Sequence, residues 1–252
     1  MKRILVSTLV LFSVFSLMAQ EAKYAFWEEK KEKVKPEYHL TVTWRVLAGY
    51  VQDWQNSPEM SYPDLYLHGG KAGFAVDFNL PYNLSVQTGA AYALTYGTTT
   101  QHWASASAEQ TQVETLVHRV MKHNINIPVF LCYRQALWKD LAMVFYGGLQ
   151  LQIGVYQKDN IKANVSQATL QWLNASGIMT EPYNRYAQEQ LPVNLQMCVG
   201  GGFEWGPYRL QGGYDFGIVN MARQYPVGSS LQKSYGAYMR EWSWNVCFVY
   251  KF

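Results

Sequence analysis

Apolar and polar residues alternate with a period of two along most of this chain. The pattern is strictest at its end, where every even position from Trp242 to Phe252 is aromatic or Val. Seven earlier segments repeat it, at about 38–51, 70–78, 84–96, 124–133, 141–156, 193–205 and 209–220. This is the signature of strands with one apolar face. Eight such strands predict an all-β chain, an eight-stranded antiparallel up-and-down β-barrel.

Alternation by itself leaves open which face points outward, because a soluble barrel with an apolar interior has the same period. Two features separate the cases. Arg45, Lys71, Asp77, Glu204, Arg209, Asp215 and Lys251 all fall on the polar face of their strands. An Arg or Lys on a lipid face would cost roughly 2–4 kcal/mol near the midplane. The connections also alternate in length: 52–69, 97–111, 157–192 and 221–241 are long, whereas 79–83, 134–140 and 206–208 are short. Long loops at one end and tight turns at the other are the pattern of a transmembrane barrel, with both termini on the periplasmic side.

The start of the chain agrees. Lys2 and Arg3 precede an uncharged apolar run, 4–18, followed by the small Ala19. This reads as a signal peptide, 1–19, too short to span a bilayer as a helix. A charged periplasmic segment, 20–37, then leads into the barrel, 38–252. Of 21 Lys and Arg and 18 Asp and Glu, the leader holds two cations. The near-neutral remainder gives no reason to expect nucleic acid as a partner. Aromatics at 15% suit interfacial girdles. The three cysteines, Cys132, Cys198 and Cys247, have no metal-ligand spacing and read as small inward fillers.

Three stretches carry a family resemblance: Asn126-Ile127-Pro128-Val129-Phe130-Leu131-Cys132-Tyr133, the Gly-rich 199–205 with Tyr214-Asp215-Phe216-Gly217-Ile218-Val219-Asn220, and the terminal Phe248-Val249-Tyr250-Lys251-Phe252. They resemble the outer-membrane β-barrel domain family of small porin-like proteins, which includes PorT-like components of type IX secretion. The end of the chain is similar to the C-terminal assembly signal of Gram-negative outer-membrane barrels, with Phe248, Tyr250 and Phe252 as the signal residues. The resemblance implies an outer-membrane location, with outer-membrane lipid and the barrel-assembly machinery as partners. A further envelope protein partner would follow for a secretion component.

Candidate chemistry is sparse. An eight-stranded barrel is just wide enough for side chains to fill it, so the seven inward charges are expected to form a structural network in a wet, plugged lumen. His118 and His123 flank the start of the fourth strand, and His102 and Ser105 lie in the segment before it, yet no motif unites them. No catalytic residue, cofactor or metal is expected. An apolar well suited to a lipid-modifying enzyme conflicts with the polar interior. The long loops are the better place for recognition, with Trp172, Tyr183, Arg185 and Tyr186 as candidate contact residues. The expected role is non-enzymatic, structural or surface-interacting, with an envelope-machine subunit and a lipid-modifying enzyme as alternatives.

Overall fold

A computed structural model of the chain describes residues 40–56, 65–107, 110–167, 171, 183–184, 186, 190–221 and 239–252. The expected signal peptide, 1–19, and the expected charged segment, 20–37, lie outside these. The strands are β1 (Thr41–Asn56), β2 (Leu65–Asn79), β3 (Leu84–Ser107), β4 (Gln110–Ala136), β5 (Leu141–Asn164), the two-residue β6 (Tyr183–Asn184), β7 (Val193–Trp205), β8 (Tyr208–Gly217) and β9 (Arg240–Lys251). Each pairs antiparallel with its neighbours, β1 closes against β9, and β4 against β5. Eight strands thus form a ring, and β6 adds a short bridge to β5 beyond it. Where the eight strands meet in the ring, closure leaves no unpaired sheet edge among the described residues, which lipid could not satisfy.

The faces sort by polarity in the direction that the charges indicate. Trp44, Val46, Phe74, Val129, Leu149, Phe203 and Phe248 all point outward and are exposed. Arg45, Asp77, Gln87, Asn126, Gln150, Glu204 and Arg209 are buried inside. Outward rings collect at two levels. At the long-loop end, Trp54 stacks on Tyr66 and meets Trp242 edge-on, at centroid distances of 5.7 and 4.8 Å. At the short-turn end, Tyr208 lies 5.6 Å from Phe248 and 5.5 Å from Tyr250, and Phe252 packs edge-on against Tyr250. On β1 the band runs from Trp44 to Trp54, matching the roughly 9–11 residues that a tilted strand needs to cross the hydrocarbon.

The terminal residue is built into the ring. The Phe252 amide donates to the Trp44 carbonyl at 3.0 Å, extending the β1–β9 ladder by one bond. Deleting Phe252 removes this bond and the ring contact to Tyr250. It should slow barrel assembly, measured as the rate at which the compact, heat-modifiable form appears on gels. An unchanged rate would rule out an assembly role for this residue.

Several strands run past their expected limits, with β1 continuing to Asn56 and β2 beginning at Leu65, inside the expected loop 52–69. Residues 97–111 are not a loop, because β3 and β4 continue as a hairpin to Ser107 and Gln110. β5 likewise extends through 157–164, expected as loop. The reason is physical. Beyond the lipid the outer face need not be apolar, so the period-two signal fades while the backbone ladder continues. A second departure is a β-bulge. His123 pairs with Tyr156 but Asn124 with Gly154, leaving Val155 extra on β5. The parity of β5 therefore switches: Gln150 and Gln152 point inward below the bulge, Gln157 and Asp159 above it. Pro128 leaves a second mark, since the β3–β4 ladder skips Gly89 and Ala90 opposite Ile127 and Pro128, where proline has no N–H to give.

Candidate functional site

The lumen is filled in three layers. At the short-turn end, β1, β2, β4, β7 and β8 bring Arg45, Asp77, Arg134, Glu204 and Arg209 together. Arg45 Nε donates to Asp77 Oδ2 at 2.6 Å, and its Nη2 lies 3.2 Å from Glu204 Oε2. Arg209 donates through Nε and Nη2 to the same Glu204 oxygen, at 3.0 and 2.7 Å. Arg134 Nε takes the other, Oε1, at 3.1 Å. Gln87 Nε2 donates to Asp77 Oδ1 at 2.8 Å. Ion pairs this deep are tolerated only when hydrogen bonds occupy both partners, and here each carboxylate uses both its oxygens.

The middle layer is largely neutral. Phe130 stacks on Tyr146 at 5.1 Å, and the buried Cys132, Val144 and Cys198 complete the cluster. Gly200 and Gly213 are required beside this ring, because a Cβ at either would collide with the Tyr146 phenol. Cys132, Cys198 and Cys247 are all buried free thiols. Asp215 accepts from Ser243 Oγ and Asn245 Nδ2 at 3.0 and 3.1 Å. Lys71 donates to Gln150 Oε1 at 3.4 Å, and Gln150 in turn to Gln196 Oε1 at 2.7 Å. The cavity against this aromatic stack holds only about 30 Å³.

At the long-loop end, Lys122 is fully buried between Asp53, 3.2 Å away, and Glu241, which it contacts directly. Gln152 and Gln55 donate to Glu241 at 2.8 and 3.2 Å, and Thr95 to Asp53 at 3.2 Å. Above them His118 Nε2 meets Asp159 Oδ2 at 3.0 Å.

Of the seven inward charges expected from the sequence, Arg45, Asp77, Glu204 and Arg209 meet in one cluster. Asp215 and Lys71 lie apart in the middle layer, held by neutral groups. Lys251 ends β9 half-buried, in register with Arg45. The Lys122–Asp53–Glu241 triad and His118–Asp159 escaped the sequence reading. The signal was present: 53 shares the parity of Arg45 on β1, 122 that of Asn124 and Asn126 on β4, and 241 that of Ser243 and Asn245 on β9. Strand limits drawn too short concealed it.

The loop candidates fare differently. Trp172 and Arg185 lie outside the described residues. Tyr183 pairs through its backbone with Asp159 in the β5–β6 bridge. Tyr186 is corrected: it is not a surface contact but is buried at 6% exposure, its hydroxyl hydrogen-bonded at 3.0 Å to the Asn124 side-chain amide. It is seated over Gly154, where any side chain would strike its ring. His118 and His123 are also separated. An odd spacing puts them on opposite faces of β4, with His123 outward against Tyr92 and Tyr156. Among the described residues, no three His, Cys, Asp or Glu side chains converge to hold a metal.

The closed ring, the apolar outer face and the paired aromatic girdles define a small transmembrane β-barrel of the outer-membrane type. No protein-family model matches the sequence, and no curated protein matches it. Solved structures of similar fold include three outer-membrane proteins. One is Ail, the attachment invasion locus protein of Yersinia pestis, in complex with the heparin analogue sucrose octasulfate, at 11% identity and a TM-score of 0.35, covering 84% of this chain and 99% of that one. Another is Neisserial surface protein A, at 9% identity and a TM-score of 0.41, with the same coverage of 84% and 99%. The third is the outer membrane protease OmpT from Escherichia coli, at 10% identity and a TM-score of 0.34, covering 88% and 99%. These likenesses are of fold alone.

Proposed function

We propose that this chain is a non-enzymatic, non-conducting outer-membrane protein of a Gram-negative envelope. In this reading its termini and short turns face the periplasm. It works by presenting a rigid sheet at the cell surface. The observation that carries the reading is the asymmetry of strand length. β3, β4 and β5 have 24, 27 and 24 residues, more than twice the roughly 9–11 that cross the hydrocarbon. At the other end, the ladder stops at tight turns. Two of these are held by left-handed residues, Tyr82 and Asn83 in one and Gly206 in the other. A projecting β3–β4–β5 wall costs ordering entropy that the membrane-spanning part does not require, and recognition is the use that such a wall serves.

The reading is tested by trimming the wall without touching the barrel. Thr100 pairs with Val117, so residues 101–116 can be replaced by an Asn-Gly turn that closes the shortened hairpin. The trimmed protein should still fold in the membrane. Cells displaying the full chain should aggregate or adhere to arrayed polysaccharides and extracellular proteins, and the trimmed form should lose that adhesion. Equal behaviour of full, trimmed and empty cells would refute the surface role.

A second reading rests on the other end of the barrel. Tyr82 and Trp138, in the short turns, are each 79% exposed, and exposed aromatics suit a docking contact with an envelope machine. A Tyr82→Ser, Trp138→Ser variant would lose function under that reading, and the trimmed hairpin would keep it.

A further inference from the structure

On β4 the outward face is apolar from Tyr133 to Ile125, with Leu131, Val129 and Ile125 exposed. His123 follows and completes the roughly 9–11 residues that a tilted strand needs to cross the hydrocarbon. It sits between Tyr92 and Tyr156, at centroid distances of 6.0 and 6.1 Å. Amphipathic rings of this kind gather where hydrocarbon gives way to headgroups. The strands continue beyond this level, and their next outward residues change character. Met121 pairs with Lys158, Arg119 with Asn160 and Val117 with Lys162. Arg119, Lys158 and Lys162 are all exposed.

The register makes these three cations one patch. Arg119 faces Asn160 and is the diagonal neighbour of both Lys158 and Lys162, at the roughly 7–8 Å that long side chains bridge. None forms an ion pair among the described residues, and no Asp or Glu stands on the described outward face of β3, β4 or β5. The acids of the same stretches, Glu114 and Asp159, are buried on the inward face. Beyond the hydrocarbon, lipid no longer dictates which residues face outward, so this sorting by sign is not a by-product of the membrane's demand for apolar groups. Like charges on adjacent strands repel, and an anion lying between them relieves the repulsion. A phosphate ester fits. It brings up to roughly two negative charges and three acceptor oxygens, and it takes charge-assisted bonds from Arg and Lys. The patch begins one outward pair past the His123–Tyr156 level, roughly 7 Å along the strands. That distance falls within the headgroup layer, roughly 5–8 Å thick on each side of the hydrocarbon.

We propose that the outward face of β4 and β5, at Arg119, Lys158 and Lys162, binds the phosphate-ester headgroup of a lipid in the leaflet around the long-loop end of the barrel. The acyl chains of that lipid lie against Ile125 and its partner Ile153 below, and the rings of Tyr92, His123 and Tyr156 mark the boundary between the two. The site is separate from the adhesion proposed above. All three cations remain when residues 101–116 are trimmed, and binding needs only a folded barrel.

The full chain, folded in detergent micelles, is titrated with phosphatidic acid, and bound lipid is counted by native mass spectrometry. Saturable binding is expected, and diacylglycerol with the same acyl chains, which lacks only the phosphate, should bind far less. Lys158→Gln should weaken phosphatidic acid roughly fivefold, the attraction that one basic side chain gains at an anionic lipid surface. Arg119→Gln, Lys158→Gln and Lys162→Gln together should weaken it on the order of a hundredfold. Lys139→Gln, at an exposed position in a short turn of the opposite end, should leave it unchanged. Heat-modifiability on gels verifies that each variant folds. Inorganic phosphate at equal concentration should not displace the lipid, because the acyl chains also hold it. Displacement would assign the patch to a free anion and overturn the lipid assignment. No saturable binding, equal binding of diacylglycerol, equal binding by the triple variant, or binding of heparin without phosphatidic acid would likewise overturn the proposal.

Discussion

Lys122→Met should destabilise the barrel by about 3–5 kcal/mol, the cost of leaving a buried charge without its partner. Lys122 is fully enclosed and contacts both Asp53 and Glu241, which are themselves almost wholly buried. Methionine fills the volume but leaves two carboxylates facing one another. Gln152, Gln55 and Thr95 still donate to them, which offsets part of the loss and places the value at the lower end of the range. The measurement is the urea midpoint for unfolding from lipid vesicles. Adding Asp53→Asn and Glu241→Gln to the same chain should recover most of the stability, because no charge then remains to be solvated. A single variant as stable as the parent would mean that water reaches the triad and the lumen is open at this level.

The second large effect concerns the outer face. Phe74 is 49% exposed on β2, in register with Val46 and Ala90 inside the apolar band. Phe74→Arg places a guanidinium in hydrocarbon, at a cost of roughly 2–4 kcal/mol near the midplane. The variant should accumulate poorly in the outer membrane. Arg at 75, one position along, would point into the lumen instead and fail by overpacking around the buried Ala75. Normal insertion of Phe74→Arg would reverse the assignment of faces.

Both expectations depend on parity, and parity is what the chain states most plainly. Strand number and order, the inward position of Arg45, Asp77, Glu204 and Arg209, and the aromatic end at Phe252 were all legible. Lipid and lumen impose opposite demands on alternate residues, and the period of a strand records both. The bulge at Val155 was not legible, because an extra residue on β5 changes which positions face inward without changing their type. The hairpin of β3 and β4 beyond Tyr96 was also hidden. There Thr98 and Thr100 meet water on the outer face while Thr99 has the inward parity, and only the backbone ladder keeps them in a strand.

The site divides along the same line. Composition and spacing determined that polar groups fill the barrel and that no motif for catalysis or metal binding runs along the sequence. They could not say which charges meet. Arg45 finds Glu204, and Lys122 finds Glu241, across 159 and 119 residues of sequence respectively. Those partnerships are fixed by the stagger of the strands and the closure of β1 on β9. Tyr186 shows the same limit from the other side: as a loop residue it looked available for recognition, yet Gly154 leaves a hollow that its ring fills. The sequence by itself determined a barrel, its lipid face and its polar core, because a membrane reads each residue's polarity locally. Only the tertiary structure decided the pairings, the aromatic middle layer and the cavity beside Arg45 and Arg209, because these depend on where eight strands bring their side chains together.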